Sequence, residues 1–590
     1  MAGKSRSGGV FAALARKIAR NVTVRAASVS RPLTANEERF IETNRRFWSE
    51  QPANSSPEPH QVVLVHFELY PLALLGNLLI ASVLARARNA GVLVVLPSRF
   101  DNPVRAVLGS FPSIRFEYED GARMLFFRIT GYLRAVLEAR RIRTPDDLLT
   151  YTRDGLLMGD CIYDTVLAHG HATVASVSHG EIIPILASYF YHRAKMRSLM
   201  ARHRIVHGVA THIVGVAAAT FLRYLLQGGK EVYIRETHLK KYSSLSMMHE
   251  CGATPDRRFV EFMKRHPQTF ARKGEMVISE RLGNRTKGVS DHLPYKADKV
   301  IYTSRAQFAD AYGLDSRRRN VFVMLHAFND YPHTYGMLAH RDFYDWFLHT
   351  LQLAQEISDV NWIFKDHPYG KLYPTDVDVE STFRRISAPQ IRFLAAHENF
   401  NTSSLRYVAD VVITCIGTAG LEYSTFGIPC ILGGRCWYSG LGFTREPATR
   451  EAFERELRHI ALLERLTDEQ TQTAKMMAYF SFKVMNHPAF PDPFRTIATY
   501  EIAEAKTLTS DELIGRILDY RSRSSEDEKS AYIDALEKFI ANPEWVQFVD
   551  FAEHTDLLGA LPGTVFPAQE ATPGPMTGRI QRALKRSGVS

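Results

Sequence analysis

The feature that most constrains the fold is a repeated order of short apolar strands and longer helical segments. In the first half, residues 62–66 and 92–96 are β-rich apolar runs, and residues 71–89 between them have helical character. The same order returns in the second half, with apolar runs at residues 320–325 and Asn361–Lys365. Strands that alternate with helices predict parallel sheets covered by helices. We therefore predict an α/β protein with two Rossmann-like domains that face a cleft, followed by a helical C-terminal extension.

The length of 590 residues is too great for one hydrophobic core, so several domains are expected. The content of 45% apolar and 23% charged residues is that of a soluble globular protein. The predicted domains are a basic flexible N-terminal segment at 1–58, an N-terminal Rossmann-like domain at 59–300, a C-terminal Rossmann-like domain at 301–500, a helical extension at 501–560, and a linker with a basic tail at 561–590.

Further elements complete the two predicted series. The remaining strands are expected at residues 114–118, 173–176, 231–234, 391–394, 411–414 and 430–432. The remaining helices are expected at residues 122–140, 182–203, 211–226, 343–357, 402–408 and 421–426, with mainly helical sequence from 446 onward. Residues 249–295 are weakly patterned and charged, and they carry no element prediction.

Much of the net charge of +10 sits at the two ends of the chain. Seven Lys or Arg residues precede the first acidic residue, Glu37, and four follow the last one, Glu570. Basic amphipathic helices at residues 10–22 and 576–586 favour loose attachment to an anionic membrane surface. Nucleic acid binding and a solvated end are the alternatives, and the first 30 residues also resemble a transit peptide. We expect the membrane surface as the partner and no nucleic acid.

Neither a membrane span nor a disulfide framework is expected. The best apolar segment, residues 213–226, is shorter than the roughly 20 residues that a spanning helix needs, and it contains Arg223. The five cysteines have no C-x-x-C spacing, and we predict that they are reduced residues of the core. These observations predict a cytoplasmic protein, with peripheral contact at the inner face of the membrane.

The segment from residue 411 to residue 434 predicts a phosphate site. A strand is followed by the turn Gly417-Thr418-Ala419-Gly420 and then by a short helix with Glu422 in its first turn. Small residues at a helix N-terminus let backbone N–H groups approach an anion, which the helix dipole also favours. The carboxylate of Glu422 can then take ribose hydroxyls. The alternative is an ordinary turn of a parallel sheet.

A second motif, Lys365-Asp366-His367-Pro368, directly follows a predicted strand. A histidine at a strand end can donate a hydrogen bond to a phosphate oxygen. Pro368 restricts the local backbone, and Lys365 can add a point charge. Because ligands bind at the carboxyl ends of parallel strands, we expect this motif and the Gly417 turn at one edge of one sheet.

These two motifs together resemble those of bacterial capsule and surface-polysaccharide biosynthesis proteins, which are glycosyltransferases of the two-Rossmann-domain (GT-B) type. That group includes transferases of 3-deoxy-manno-octulosonic acid (Kdo), and the motif pair is also similar to that of bacterial sialyltransferases and teichoic acid polyol-phosphate transferases. The resemblance implies that the C-terminal domain binds a nucleotide sugar and the N-terminal domain an acceptor. It implies nucleotide contacts from Lys365, His367, Pro368, Gly417, Thr418, Ala419 and Glu422, with Thr414 as a further candidate.

The loop after the strand at residues 320–325 faces the donor in this fold. The resemblance therefore places His326, Asn329 and Asp330 near the nucleotide or the transferred sugar. Two histidines and one aspartate within this loop can also ligate a metal. We expect no metal and no cofactor, since such enzymes commonly neutralise the leaving phosphate with side chains and helix dipoles. The alternative is a polar interdomain loop.

Three residues of the first half are candidates for catalysis on the acceptor. Asp160 or Glu181 can deprotonate an acceptor hydroxyl or stabilise a cationic sugar, and His179 is the rival base. His66 and Glu68, after the first strand, are similar candidates. The alternative for Asp160 is helix capping or a solvated helix face.

The expected function is transfer of a sugar from a nucleotide donor to a surface polysaccharide or glycoconjugate. The resemblance favours a CMP-linked donor of the Kdo or another nonulosonic type. One alternative is a polyol-phosphate transferase, in which Lys365, Arg435 and Arg445 supply cations around the transferred phosphate. The other alternative is a non-catalytic assembly or export partner.

Overall fold

The computed structural model divides the chain into two compact units. The first comprises Met1–Leu125, Met200–Thr211 and Pro491–Ala541, and the second comprises Phe126–Leu199, His212–Phe490 and Asn542–Ser590. The structure describes residues 31–51, 58, 60–67, 72, 74–96, 102–119, 121–235, 239–251, 260, 263–285, 293–334, 337–370, 373–485, 494, 508–543, 546 and 548.

Several predictions fall outside these described residues. They concern the first 30 residues, the terminal basic helices, Glu68 and the linker with its tail. The predicted domain boundaries stay a prediction, as does the cleft between two domains. Among the helices of the described residues, none has the length and apolarity required to cross a bilayer.

The strands and helices follow one another in the expected alternation. The strands are β1 Gln61–Val65, β2 Gly91–Leu96, β3 Ile114–Tyr118, β4 Thr152–Arg153, β5 Leu156–Leu157, β6 Arg204–Ala210, β7 Glu231–Arg235, β8 Leu239–Tyr242, β9 Asn320–Met324, β10 Met337–Leu338, β11 Asn361–Lys365, β12 Ile391–Leu394, β13 Val411–Thr414, β14 Cys430–Leu432, β15 Gly434–Arg435 and β16 Thr444–Arg445.

The α-helices cover the sheets and make up most of the described residues after residue 446. They are α1 Ala35–Glu50, α2 Leu74–Ala87, α3 Asn102–Leu108, α4 Gly121–Ala139, α5 Pro145–Leu149, α6 Gly159–Leu167, α7 His179–Arg202, α8 Gly215–Gln227, α9 Leu245–Cys251, α10 Pro267–Leu282, α11 Arg305–Tyr312, α12 Phe343–Glu356, α13 Val379–Arg384, α14 Leu405–Val408, α15 Ala419–Ser424, α16 Arg450–Arg458, α17 Asp468–Tyr479, α18 Ser510–Arg521 and α19 Glu526–Ala541.

The first unit contains four parallel strands in the order β3-β2-β1-β6. Every residue of β1 and β2 is buried, which explains their continuous apolar sequence. Helix α2 is apolar on all sides, and nearly all of its residues are buried against neighbouring elements. The sequence predicted β1, β2, β3 and α2 within a few residues but missed β6.

The second unit contains a six-stranded sheet in the order β12-β11-β9-β13-β14-β16. All five neighbouring pairs are parallel. Strand β9 lies between β11 and β13, and Met324 at its end pairs with Lys365 on one side and Thr414 on the other. The three strands therefore end level. The α/β class with parallel sheets is confirmed.

The predicted strand at residues 173–176 is wrong. This segment is irregular, and its hydrogen bonds go to side chains instead of a neighbouring strand. The Thr173 hydroxyl donates to Asp342 at 2.5 Å, and the Val174 N–H donates to the hydroxyl of Tyr163 at 3.2 Å. A short apolar run forms a strand only where a neighbouring strand can accept and donate its backbone hydrogen bonds. The sequence of the run does not show whether such a neighbour exists.

Helix α10 lies in the region that carried no element prediction. Its buried residues include Phe270, Gly274, Val277 and Ile278, which have helical spacing. A Cβ on Gly274 would lie 1.8 Å from the carbonyl oxygen of Lys475 in α17, so glycine is required for the close approach of these two helices. The helical signal was present but was obscured by the many charges around it.

A buried ion pair holds α6 to the loop that follows β9. His333 Nδ1 lies 2.6 Å from Asp164 Oδ1, and His333 Nε2 lies 2.7 Å from the carbonyl oxygen of Arg341. Both ring nitrogens therefore face acceptors, which favours the protonated imidazole. Burial opposes charge on His333, but the Asp164 carboxylate outweighs it and raises the pKa of His333 to about 9.

We predict that this pair makes stability depend on pH between about 6.5 and 9. The folded-state pKa of His333 lies above its unfolded value, so its contribution is complete below pH ~6.5 and is lost as the pH rises through the folded pKa. Chemical denaturation of the wild type should show a loss of at most about 3 kcal/mol over this range. His333→Gln should be less stable at pH 6 and have a flatter profile.

The exposed His397 provides the matched control, because His397→Gln should leave the profile unchanged. An equally steep loss of stability in the His333→Gln protein would contradict the assignment.

Candidate functional site at the carboxyl edge of the second sheet

The level ends of β11, β9 and β13 bring three predicted segments to one edge of the sheet. His367 follows β11 by two residues, His326 follows β9 by two, and Gly417 follows β13 by three. All three residues are half-buried, so they are open to a ligand as well as anchored. His367 lies close enough to His326 to lower the pKa of the His326 ring. The sequence prediction that both motifs lie at one edge is therefore confirmed.

His326 holds the turn after β13. Its ring stacks on Phe343 with 4.4 Å between ring centroids. Its Nε2 accepts from the Ile416 N–H at 3.2 Å and lies 3.2 Å from the Thr414 hydroxyl, which in turn accepts from the Gly417 N–H at 3.3 Å. Nε2 is thus an acceptor, and the proton of the neutral ring is on Nδ1. Burial lowers the pKa of His326 to about 3, and the nearby His367 adds to this effect.

His367 has the opposite tautomer. Its Nδ1 accepts from the Tyr369 N–H at 3.3 Å, so the proton of the neutral ring is on Nε2. Among the described residues, that Nε2–H has no hydrogen-bond partner. Burial, followed by the charge of Lys365, lowers the pKa of His367 to about 4. At neutral pH the ring is therefore an uncharged donor that a ligand oxygen can meet.

Two glycines of the turn are required by close approach. A Cβ on Gly417 would lie 2.7 Å from Thr414 Oγ1 and 3.3 Å from the His326 ring. A Cβ on Gly420 would lie 2.4 Å from the Tyr438 hydroxyl, which donates to the Gly417 carbonyl oxygen. The turn is thus packed tightly between β9, β13 and Tyr438.

The other residues of the two motifs differ in how open they are. Thr418 is half-buried, and its side chain makes no capping hydrogen bond with α15. Pro368 is also half-buried, whereas Ala419 is buried. Lys365 is buried, and its Nζ donates to the carbonyl oxygens of Ala395 at 3.0 Å and Asp366 at 3.3 Å. Burial lowers the pKa of Lys365 to about 8. Its ammonium group is therefore committed to the backbone rather than free for a phosphate.

Glu422 is part of a buried network. Arg281 Nε donates to Oε1 at 2.6 Å, and the Tyr295 hydroxyl donates to Oε2 at 2.7 Å. The side chains of Glu422 and Arg281 are only 4% and 9% exposed. Both carboxylate oxygens are occupied, so a ribose would have to displace one of these contacts. Sequence reasoning missed Arg281 and Tyr295 because they lie in the region without a clear pattern.

The two candidates in the loop after β9 differ in burial, since Asn329 is buried and Asp330 is exposed. Asn329 Nδ2 donates to the Pro374 carbonyl oxygen at 3.3 Å, while its buried Oδ1 has no partner in the part of the chain that the structure describes. Within the described ranges, no group of three or more His, Cys, Asp or Glu side chains is placed to hold a metal ion.

The three candidates for acceptor chemistry do not form one cluster. Asp160 is buried, and its two oxygens accept from Arg223 at 2.6 and 2.7 Å, so it is committed to an ion pair. His179 and Glu181 are exposed at the start of α7.

A small chain of side chains connects Glu181 to the loop after β11. His171 lies 3.7 Å from the Glu181 carboxylate and 2.9 Å from that of Asp376. Sequence reasoning missed His171 and Asp376, because single polar residues in irregular segments carry no pattern. Of the three candidates, Glu181 is therefore the one that is exposed to solvent and also has titratable side chains beside it.

One family of known proteins matches this part of the chain. Residues 288–480 match the family described as capsule polysaccharide biosynthesis protein. This range contains β9 to β16 and all of the nucleotide-site candidates. The predicted resemblance is thus confirmed over these residues, and it supports the glycosyltransferase class. None of the curated proteins compared with the chain matches it.

Solved structures are similar only at low identity. KpsC, a beta Kdo 2,4 transferase of Thermosulfurimonas dismutans, is 12% identical, with 46% of this chain and 79% of its own covered and a TM-score of 0.28. A glycosyltransferase of Rickettsia africae is 10% identical, with 78% and 99% covered and a TM-score of 0.23. The UDP-GlcNAc 2-epimerase of Neisseria meningitidis is 8% identical, with 72% and 100% covered and a TM-score of 0.23. At these identities and TM-scores, the similarity does not indicate the activity of this protein.

We predict that Glu422→Ala destabilises the protein by about 3 kcal/mol or more, because it removes the carboxylate that balances the buried charge of Arg281. Chemical denaturation measures this loss, with Glu464→Ala, an exposed glutamate, as the control. A Glu422→Ala protein that kept its stability and lost only nucleotide affinity would show instead that Glu422 holds the ribose.

We also predict that Gly417→Ala costs about 1–3 kcal/mol of folding free energy, because the new methyl group must displace the Thr414 hydroxyl. Gly91→Ala is the control, since a Cβ there would meet its nearest neighbour at an ordinary 3.4 Å. Equal denaturation midpoints for Gly417→Ala and the wild type would rule out the tight turn.

Proposed function

We propose that this protein transfers a sugar from a nucleotide donor to a capsule or other surface-polysaccharide acceptor. The match of residues 288–480 to the capsule polysaccharide biosynthesis family supports the class of reaction. The CMP-linked donor and the glycan or lipid-linked acceptor are the finer parts of the proposal. They rest on the resemblance of the His367 and Gly417 motifs.

One observation carries the proposal: an uncharged donor after β11 and a glycine turn after β13 lie on either side of β9, at the level ends of three parallel strands. His367 presents Nε2–H, and the turn presents the Thr418 hydroxyl and backbone at half-buried positions. Parallel α/β sheets bind nucleotides at this edge. His326 serves the site indirectly, because its Nε2 fixes the backbone of the turn.

The chemistry that this arrangement supports is departure of the nucleotide phosphate. As the sugar–phosphate bond breaks, negative charge grows on the leaving oxygen, and a fixed donor stabilises the transition state more than the ground state. His367 is an uncharged donor in the ground state. The hydrogen bond from its Nε2–H strengthens as negative charge grows on the accepting oxygen.

On the acceptor side, Glu181 is the residue that we assign as the base. It is exposed and lies in a neighbourhood with His171 and Asp376, whereas Asp160 would have to break an ion pair first. His179 stays the rival base, because it is also exposed and lies two residues before Glu181 in the first turn of the same helix.

The polyol-phosphate alternative needs free cations around the transferred phosphate. Lys365 donates to backbone carbonyls, Arg445 pairs with Glu456 at 3.0 Å, and Arg435 lies 4.0 Å from Glu446. Lys365 and Arg445 thus already have acceptors, whereas Arg435 Nε makes no hydrogen bond among the described residues. The arrangement thus favours sugar transfer over polyol-phosphate transfer.

We predict that His367→Ala weakens CMP binding by about 1.5–3 kcal/mol, or roughly tenfold to a hundredfold in Kd, because a donor to an anionic oxygen is lost. Titration calorimetry measures the change. His367→Gln should recover part of the affinity, and the exposed control His397→Ala should bind like the wild type. Unchanged CMP binding in His367→Ala would refute the proposed site.

A thermal-shift comparison of CMP, CDP, UDP and GDP tests the donor base. Stabilisation by CMP above the others would support the CMP-linked donor, and preference for UDP would remove it. No stabilisation by any of the four would favour the non-catalytic assembly partner.

A further inference from the structure

Helix α4 carries large apolar side chains on its solvent side. Phe126, Leu133 and Leu137 are 61%, 55% and 61% exposed, and Ile129 is 42% exposed. These four residues are spaced by three or four positions, so they form one stripe along the helix. The stripe Phe126-Ile129-Leu133-Leu137 is the largest group of exposed apolar side chains on any single helix among the described residues.

The opposite side of α4 is made of small residues. Gly131, Ala135 and Ala139 are buried. A Cβ on Gly131 would lie 3.2 Å from the backbone nitrogen of Tyr191, so this side packs closely against α7. From Gly131 to Ala139 the fully buried positions are therefore small residues, while the large side chains of Leu133 and Leu137 lie outside. A helix that needed only internal packing would have the reverse distribution.

Unpaired positive charge borders the stripe. Arg134 and Arg140 are exposed, and neither forms an ion pair within the described part of the chain. At 100° per residue, both lie within roughly a quarter turn of the stripe centre. Glu138 is the acidic residue of the helix, and it is neutralised by Arg141 at 3.2 Å and Arg153 at 3.0 Å.

We propose that this stripe lies on an anionic lipid bilayer, with its apolar side chains in the headgroup boundary and the arginines at the lipid phosphates. Apolar residues on one side of a helix and cations along the border are the pattern of interfacial helices. The negative surface potential of such a membrane adds to the attraction of each arginine. The surface is separate from the terminal basic segments and does not depend on the proposed sugar transfer.

Charge complementarity favours a membrane over a second copy of the chain. Arg134 and Arg140 flank the stripe, so a symmetric pairing of two such helices would bring the unpaired arginines of both copies into one interface. Helix α4 offers no free carboxylate to compensate that repulsion. A layer of lipid phosphates supplies the missing negative charge.

Vesicle co-sedimentation of the full chain tests the proposal. The wild type should bind vesicles that contain phosphatidylglycerol and bind pure phosphatidylcholine weakly. Leu133→Ser/Leu137→Ser and Arg134→Ala/Arg140→Ala should each weaken binding, the second by about thirtyfold for two arginines. Leu462→Ser, which alters an exposed leucine at 76% exposure elsewhere, should bind like the wild type.

Because all four substituted side chains are exposed, each variant should keep the thermal midpoint of the wild type, which shows that any loss of binding is local. If the stripe variants bind phosphatidylglycerol vesicles as tightly as the wild type does, the proposal is wrong. Another segment of the chain would then account for the membrane binding. A wild type that is a dimer in light scattering and becomes a monomer on Leu133→Ser/Leu137→Ser would assign the stripe to a second copy instead.

Discussion

The candidate site depends on the common register of three parallel strands. Met324 pairs with both Lys365 and Thr414, so β11, β9 and β13 end at one level. The two or three residues after each strand therefore lie at the same edge of the sheet. His326 uses this proximity to hold the Gly417 turn through its Nε2. A slip of one register position would separate His367 from that turn and reverse which side chains face the core.

Glu422 and Asp160, which are candidates for chemistry in the sequence, have structural roles in the fold, and so does Asp164. Glu422 is bonded to Arg281, Asp160 to Arg223, and Asp164 to His333. Each pair is buried, where a charge without its partner costs several kcal/mol. The residues left open directly after β11 and β13 are uncharged histidine, hydroxyl and backbone groups, while Asp330 is exposed in the loop after β9. The site therefore offers neutral donors, and fixed charge is kept inside the supporting structure.

Strands and helices with strong periodicity could be predicted from sequence to within a few residues, as β11, β12, β13 and β14 show. The errors have two physical causes. The expected strand at residues 173–176 has no ladder partner, because side chains of Tyr163 and Asp342 take its hydrogen bonds. Helix α10 was overlooked because its apolar spacing is hidden among charges.

The α/β class, the two motifs of the site and their residue types can be predicted from the sequence alone. Local order, strand period and turn chemistry depend on neighbouring residues, which a sequence displays directly. Which side chains are free depends on the folded arrangement. It turned Lys365 and Glu422 away from solvent, gave His367 an open Nε2, and placed the small side of α4 inward and its large side outward. Those outcomes depend on partners many residues distant, and no local pattern records them.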